Sequence, residues 1–464
     1  MTNFKKRIFK NQLLKVQMFA LCLLMVSCEK FVEVGLPNSQ LTSTTVFKDV
    51  STANAAIANL YIQIRDQGLV ADNGNSISIA LGCYSDELVH YRADVNEYYQ
   101  NNLQAANFNI SEMWNKSFNL IYGANSALEA LETSPEITDK DRAGFRGEAL
   151  FIRAYIHFHL LNLYGSIPYV TGTDYQKNMR LSKLPVAAVY AAIIADLLEA
   201  KKDLPQEYPS AERGRVNRSV VNAMLARVYL YTENWTAAKE SADAVINNMD
   251  MYQWVTNLDQ VFLNNSSGSL WQLIPRTVGS NTSNASNFIF TSGPPPSLAL
   301  SPLLLNAFEP GDLRKSHWIG SVSKGSDTWY YAYKYKENKP TAVSKEYSIL
   351  FRLEEMYFIR AEAYTRMDNL PLAAADLNKI RNRAGLGNTK AETKPDLLTA
   401  IIQERRIEFF CELGHRWFDL KRTGQLDAAL KGVKPGWDTK DSLWPLPENE
   451  LRLNPNMAPQ NPGF

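Results

Sequence analysis

The chain is poor in the residues that build metal and redox centres. Among its 464 residues are four cysteines and five histidines, with no Cys-x-x-Cys motif and no two histidines four residues apart. That histidine spacing would place two zinc ligands on the same face of a helix. The sequence therefore predicts neither a dedicated metal centre nor a bound cofactor.

Basic runs are missing as well. Residues 1–27 hold five of the 49 basic residues and no acidic one, so the rest of the chain carries 44 basic and 48 acidic side chains. A nucleic-acid partner would call for a basic patch or stripe. The mildly acidic balance beyond residue 27 argues against nucleic acid as a partner.

No apolar run is long enough to span a bilayer, which takes roughly 20 residues. The most pronounced run, residues 16–26, has eleven residues, follows five basic residues and leads directly into Ser27 and Cys28. This order is typical of a signal peptide, and a small residue before cysteine is typical of a lipoprotein. We expect residues 1–27 to be removed and Cys28 to carry the lipid that holds the protein on a membrane. The alternative is an N-terminal anchor helix with an incidental cysteine.

Two further cysteines remain once the signal peptide is removed and Cys28 is acylated. Cys83 and Cys411 are far apart in the chain and belong to no recognisable motif. They either form a disulfide in an oxidising compartment or stay as two buried thiols, and a lone distant pair favours buried thiols.

Helical periodicity dominates most of the chain. After a tether at residues 28–45, apolar side chains recur at the three- and four-residue spacing of one helix face. The clearest segments are residues 52–64, 113–131, 142–164, 186–202 and 216–231. The pattern predicts a helical scaffold built from residues 46–248 and 346–425.

The chain repeats itself after 135 residues. In each copy a helix ends in a short polar turn, and an alanine-rich second helix follows. The superposing residues are Ala226, Tyr229, Ala238, Ala242 and Val245 in one copy and Ala361, Tyr364, Ala373, Leu377 and Ile380 in the other. Such pairs resemble tetratricopeptide hairpins, in which small residues let two helices approach closely. The alternative is two unrelated antiparallel helix pairs.

Periodicity disappears between about residues 250 and 345. Residues 264–296 are rich in Asn, Ser, Gly and Pro, and a run of aromatic residues follows between 318 and 335. A long irregular region inside a helical protein is usually functional or disordered. Because the interleaved aromatics argue against disorder, we expect a loop-rich functional insertion at residues 250–345.

A series of short motifs runs through residues 28–464 in the order in which one known family has them. They are CEKF at 28–31, FIRAYIHFHLLNLYGSIP at 151–168, GRVN at 214–217, AMLARVYLY at 223–231, LFRLEEMY at 350–357, ERRIE at 404–408, GHRWFDLKR at 414–422, LWPLP at 443–447, NPNM at 454–457 and QNPGF at 460–464. This series resembles the SusD/RagB family of Bacteroidetes outer-membrane nutrient-binding lipoproteins.

The resemblance implies a mostly α, tetratricopeptide-like scaffold with a loop-rich ligand-binding part, forming a single SusD-like domain over residues 46–464. It also implies a non-enzymatic protein that binds oligo- or polysaccharides and hands them to a SusC-type TonB-dependent transporter. The expected location is the outer membrane, lipid-anchored and facing outward. Alternatives are a peptide or another nutrient as the ligand, an adaptor that binds only proteins, and a hydrolase.

The hydrolase alternative depends on two carboxylates, Glu404 and Glu408, that lie four residues apart on a predicted helix. Arg405 and Arg406 lie between them, and further arginines follow nearby. Ion pairing stabilises the charged form of a carboxyl group, which is the wrong direction for a general acid. We therefore expect both glutamates to belong to a structural ion-pair network.

Sugars stack on aromatic planes beside polar groups, so the candidate ligand residues are those in segments whose aromatic side chains do not follow helical periodicity. The resemblance implies contacts from the loop after the second helix and from the central irregular part. We expect an aromatic platform there, while Trp235 and Trp417 are assigned to the core. The candidates are Asp86, Tyr91, Arg92, Tyr98, Tyr99 and Asn101 in the first region and Trp271, Arg276, Trp318, Trp329 and Tyr330 in the second.

Overall fold

The computed structural model describes residues 47, 49–70, 76–92 and 96–464. The predicted signal peptide, Cys28 and the tether at residues 28–45 lie outside these residues. Val46–Phe464 form one compact unit. Within the described residues, no helix combines the length and the apolar character that crossing a membrane requires.

Eight helices occupy the first half of the unit. They are α1 (Val50–Gln67), α2 (Ile77–Tyr84), α3 (Phe108–Glu132), α4 (Asp139–Tyr164), α5 (Tyr175–Asn178), α6 (Val186–Asp203), α7 (Arg218–Tyr231) and α8 (Trp235–Ile246). Helix α4 is central, because every side chain from Glu148 to Tyr164 is buried and it packs against α1, α3 and α6. It begins at Thr138, whose hydroxyl accepts the N–H of Asp141, and ends at Gly165, which has a φ of 75°.

The irregular part contains most of the strands, which form three antiparallel pairs. Strands β1 (Leu88–His90) and β3 (Leu298–Leu300) pair, as do β2 (Ser269–Leu273) and β6 (Ser348–Arg352), and β4 (Ile319–Lys324) and β5 (Asp327–Ala332). Three short helices lie between them: α9 (Ser283–Phe288), α10 (Pro302–Leu305) and α11 (Leu313–Trp318). Because β1 belongs to the first half of the chain, the β1–β3 pair connects the scaffold to the irregular part.

Helices return after β6 and continue to the C-terminus. They are α12 (Leu353–Arg366), α13 (Leu370–Arg383), α14 (Lys394–Glu408), α15 (His415–Arg422), α16 (Leu426–Leu430) and α17 (Glu448–Leu453). Single 3-10 turns occur at Ala211–Arg213, Leu258–Gln260, Thr439–Ser442 and Pro455–Met457. The chain is thus mostly α, as predicted.

The hairpins α7–α8 and α12–α13 are two copies of one structural unit. Their turns share a left-handed residue at the matching position, Glu233 with φ 56° and Asp368 with φ 62°. In each copy the next residue donates its N–H to the carbonyl of a tyrosine five positions earlier, at 2.9 and 2.8 Å. The matched alanines Ala238 and Ala373 are fully buried, as close helix packing requires. The prediction of a tetratricopeptide-like helical repeat is confirmed.

The core holds the two tryptophans assigned to it and both remaining thiols. Trp417 is fully buried, and Trp235 is partly buried against the core. Cys83 and Cys411 are buried free thiols. Of the two alternatives drawn from the sequence, buried thiols are therefore the correct one.

A buried ion-pair network links the irregular part to α14. The carboxylate of Glu408 accepts hydrogen bonds from Arg314 on α11, Arg352 at the end of β6 and Arg383 at the end of α13. Glu404 accepts from Arg314 and from Arg381. Burial alone would raise the pKa of Glu408, but the three guanidinium groups outweigh it and hold that pKa well below its usual range. The prediction of a structural role for both glutamates is confirmed.

The partners of these glutamates are not their sequence neighbours. Adjacent residues on a helix point to different sides, so Arg405 and Arg406 cannot reach the face that Glu404 and Glu408 share. Arg405 instead bonds to Asp419 at 2.7 Å. Arg406 points away from that face and bonds to Asp86. Both pairings differ from the expectation that the glutamates pair with the arginines beside them in the sequence.

We predict that Glu408→Gln lowers the free energy of unfolding by about 3–5 kcal/mol, because it leaves buried guanidinium groups without a compensating charge. Denaturant unfolding followed by circular dichroism would measure the loss. The matched control is Glu309→Gln, whose carboxylate is 53% exposed beside Arg381 and should cost no more than about 1 kcal/mol. Equal losses in the two variants would contradict the network.

Candidate ligand-binding site

A cavity of about 540 Å³ lies where the β1–β3 pair joins the scaffold to the irregular part. One wall comes from α2, β1, residues 96–98 and the start of α3, and the other from α9 and residues 296–298. We call it the β1–β3 cavity. Its volume falls within the roughly 300–1,000 Å³ typical of small-molecule sites.

Backbone pairing fixes the position of both walls. His90 lies opposite Leu298 in the strand register, and the N–H of Tyr91 donates to the carbonyl of Ser297 at 2.7 Å. Behind this pair, α2 is buried on all sides and presents Ile79, Ala80 and Cys83 to the cavity. The walls are therefore held by regular structure, even though most of the polar lining comes from loops.

Two polar atoms of lining residues are buried and make no hydrogen bond with the described part of the chain: the hydroxyl of Tyr98 and the Nδ2 of Asn287. Buried polar groups normally have a partner, so each such atom needs an explanation. Burial raises the pKa of Tyr98, so its hydroxyl stays protonated and able to donate. Because both residues belong to the lining, a polar ligand or ordered water in the cavity is the candidate partner for these atoms.

The described lining residues of the cavity include one basic and one acidic side chain. They are Arg92 and Glu97, which carry opposite charges, and His90 adds an imidazole. Burial raises the pKa of the Cys83 thiol to about 12, so this thiol is not a nucleophile at neutral pH. The lining thus favours an uncharged polar ligand over an ion.

Two of the predicted ligand residues, Arg92 and Tyr98, line the β1–β3 cavity. Two other predicted residues, Tyr91 and Tyr99, are sequence neighbours of these lining residues. Tyr91 is 41% exposed, while Tyr99 is half-buried with the ammonium of Lys434 4.0 Å from its ring centroid. The first predicted region therefore reaches the cavity, although its two neighbouring tyrosines are outside the lining.

Asp86 and Asn101, from the same region, have structural partners instead. The carboxylate of Asp86 is bonded to Arg416 at 2.8 and 2.9 Å and to Arg406 at 2.8 Å. The amide of Asn101 donates to the carbonyl of Tyr84 at 2.9 Å, and its backbone is left-handed with φ 50°. The expectation that they face a ligand is corrected, because both are buried and used to hold the loop.

Trp271 and Trp318 are core residues, so the expectation of exposed rings is wrong for both. Each is fully buried, and each indole N–H donates to a backbone carbonyl, at 3.3 Å to Gly214 and 3.1 Å to Leu258. Trp271, on β2, packs against Phe151 and Tyr155 of the scaffold helix α4. Trp318, on α11, packs against Phe262 inside the irregular part. Loss of helical periodicity therefore did not mean exposure.

The remaining predicted residues lie apart from the lining. Trp329 on β5 covers the backbone of Gly293, where an added Cβ would lie 2.0 Å from the indole ring. Tyr330, on the opposite face of that strand, packs against the core. Arg276 is exposed and lines a different cavity. The structure thus does not bring the two predicted regions together as an aromatic platform.

The sequence does not single out five of the polar residues of the lining. Asn96 and Glu97 belong to the first region, Asn109 lies at the start of α3, and Ser286 and Asn287 lie on α9. Aromatic rings are the usual sign of a sugar site, whereas the Asn- and Ser-rich composition of residues 264–296 indicates only a loop. Clustered amide side chains are the signal in the sequence that points to α9.

A helical-hairpin scaffold with an irregular, cavity-bearing part defines the class of this protein, and comparison with known proteins gives the family. One family model, described as starch-binding associating with outer membrane, matches residues 30–230, and another, described as the SusD family, matches residues 313–464. A SusD-like protein, P2, from Formosa agariphila is 26% identical, with 97% of this chain and 99% of that protein covered. The chain belongs to the SusD/RagB family, as its motifs predicted.

Solved structures share the fold. A SusD superfamily protein from Bacteroides vulgatus has a TM-score of 0.76 at 22% identity and covers 90% of this chain and 100% of its own. A laminarin-binding SusD-like protein has a TM-score of 0.74 at 24% identity, with 90% of this chain and 100% of that chain covered. The fold of the whole described unit is therefore that of the family.

We predict that Glu87, directly behind the cavity wall, makes stability depend on pH. Burial and the neighbouring charge of Asp86 raise the pKa of Glu87 from 4.5 to about 8. The folded chain then holds a proton that the unfolded chain releases, so the free energy of unfolding falls as pH rises from 4.5 to about 8, by at most ~1.4 kcal/mol per pH unit.

The Glu87→Gln variant keeps an acceptor oxygen for the N–H of Cys411, which now lies 3.3 Å from either carboxylate oxygen. We expect it to unfold like the wild type near pH 4.5 and to be the more stable protein at pH 8.5. Thermal unfolding at both pH values measures this. Parallel pH profiles for the two proteins would contradict the raised pKa.

Proposed function

We propose that this protein is an outer-membrane surface lipoprotein that binds an oligosaccharide in the β1–β3 cavity and hands it to a SusC-type TonB-dependent transporter. The observation that carries the binding step is the pair of unpartnered polar atoms, on Tyr98 and Asn287, in a cavity whose described lining residues include one basic and one acidic side chain. The family's described association with the outer membrane supports the location.

The chemistry of the lining suits a sugar. Hydroxyl groups of a sugar both donate and accept hydrogen bonds, and its C–H faces need apolar contact. The lining supplies donors on Asn287 and Tyr98, acceptors on Glu97 and Asn96, and apolar surface on Leu298. A structure with the same fold is that of a laminarin-binding protein, which supports a glucan or a related glycan as the ligand class.

Binding without hydrolysis is the activity that fits the carboxylates. Glu404 and Glu408 are buried and saturated by arginines, so neither can reach a glycosidic bond or act as a general acid. The role proposed here is therefore capture and delivery rather than turnover.

We predict that Tyr98→Phe weakens glycan binding about 2- to 13-fold, since it removes one hydrogen bond worth ~0.5–1.5 kcal/mol while keeping the ring. Asn287→Ala should weaken binding at least as much. Isothermal titration with a panel that includes laminarin oligosaccharides provides the measurement. The control is Tyr84→Phe, which removes a buried hydroxyl from the same aromatic cluster outside the cavity. If all three variants bind like the wild type, the ligand site is elsewhere.

We predict that Cys28→Ala yields a folded protein that no longer fractionates with the membrane. The reason is the signal-peptide pattern that ends at Ser27, together with the absence from the sequence of any apolar run long enough to span a membrane. Cells that lack the partner transporter should be used, so that binding to it cannot retain the variant. Continued sedimentation with the outer membrane in that background would rule out the lipid anchor.

A further inference from the structure

A second cavity, of about 400 Å³, shares no lining residue with the first. It lies between the end of α1, the segment that follows β2 and the start of β6. Eight of its ten described lining residues are polar, among them Arg65, Asp66, Arg276 and the hydroxyl-bearing residues Ser280 and Thr282. We call it the Arg276 cavity.

The walls of the Arg276 cavity are held rigidly by hydrogen bonds. Arg65 donates to the carbonyl of Ile274 at 3.0 Å, which ties α1 to the segment after β2. The side chain of Asn281 donates to Thr341 and accepts the N–H of Lys345, at 3.0 and 2.8 Å. A preformed wall of this kind lowers the ordering cost of binding.

The segment that follows β2 also turns at Gly279, which no other residue could replace without strain. Its φ is 84°, and an added Cβ would lie 2.3 Å from the carbonyl oxygen of Thr341. Its own carbonyl accepts the N–H of Thr341 at 2.8 Å. Val278 and Val343, which are close to Gly279 and Thr341 in the chain, are 85% and 66% exposed.

One positive charge in this cavity is left uncompensated. Arg65 donates to both carboxylate oxygens of Asp66, at 2.6 and 2.8 Å, so those two charges neutralise each other. Hydrogen bonding to Arg65 chiefly lowers the pKa of Asp66, and Arg276 lies close enough to lower it further. Arg276 itself makes no hydrogen bond or salt bridge with any described residue.

We propose that the Arg276 cavity binds an acidic group, a carboxylate or a sulfate ester, carried by a sugar. The planar guanidinium matches such a group with two parallel hydrogen bonds, and the nearby hydroxyls suit the rest of a sugar ring. Anion binding stands by itself, while the sugar as carrier rests on the proposed function; together they give the protein a preference for acidic glycans.

The test is titration of the wild-type protein with sodium glucuronate, sodium sulfate and glucose at constant ionic strength, followed by NMR. Glucuronate should bind at least tenfold more tightly than glucose, and Arg276→Gln should weaken it about 10- to 150-fold. The relative affinities of glucuronate and sulfate identify which acidic group the site prefers. The matched control is Arg180→Gln, which removes another exposed arginine and should leave binding unchanged.

The results separate this inference from the proposed function. Tyr98→Phe should leave glucuronate binding intact, and Arg276→Gln should leave the binding of neutral oligosaccharides intact. Equal affinity of the wild type for glucuronate and glucose would overturn the acidic site, as would an Arg276→Gln variant that binds glucuronate normally. Neither of those results bears on the proposed site in the β1–β3 cavity. That proposal is contradicted only if the binding of neutral glycans does not depend on Tyr98 and Asn287.

Discussion

The fold depends most on one buried carboxylate, that of Glu408. Its three guanidinium partners come from α11, β6 and α13, and Lys334 adds a bond to its backbone carbonyl at 2.8 Å. Any of these charges buried alone would cost several kcal/mol, so the network is favourable only when every contributing segment is in place. The network therefore holds the irregular part on the helical scaffold. Contacts among the scaffold's own helices do not provide that attachment.

That attachment explains how the β1–β3 cavity can exist. A second ion-paired contact, between Asp86 and Arg416, fixes the scaffold side of the cavity wall. With both sides anchored by charges elsewhere, the loops at the cavity need not satisfy every polar atom, and Tyr98 and Asn287 do not. Loops on a rigid scaffold can also change their side chains without loss of the fold, which is how one fold serves many ligands.

The aromatic residues of the irregular part show that packing and ligand contact compete for the same side chains. A region with little regular structure still needs buried side chains: Trp318 packs there against Phe262, while Trp271 packs onto Phe151 of the scaffold. The fold therefore buries some of the aromatic residues that lie outside helical periodicity and leaves others exposed. The irregular part contributes to the cavity lining the polar side chains of α9 and residues 296–298, rather than aromatic rings.

The sequence by itself determined the helical scaffold, the 135-residue repeat and the family, because these follow from periodicity and from motifs that are local in the chain. It also determined that Glu404 and Glu408 are ion-paired, since carboxylates among so many arginines do not stay unpaired. Only the tertiary structure decided which arginines pair with them, and that Trp318 is buried while Asn287 lines a cavity. The ion pairs of Glu404 and Glu408, for example, join residues 23 to 94 positions apart, where burial and charge compensation are set by the packing of whole segments.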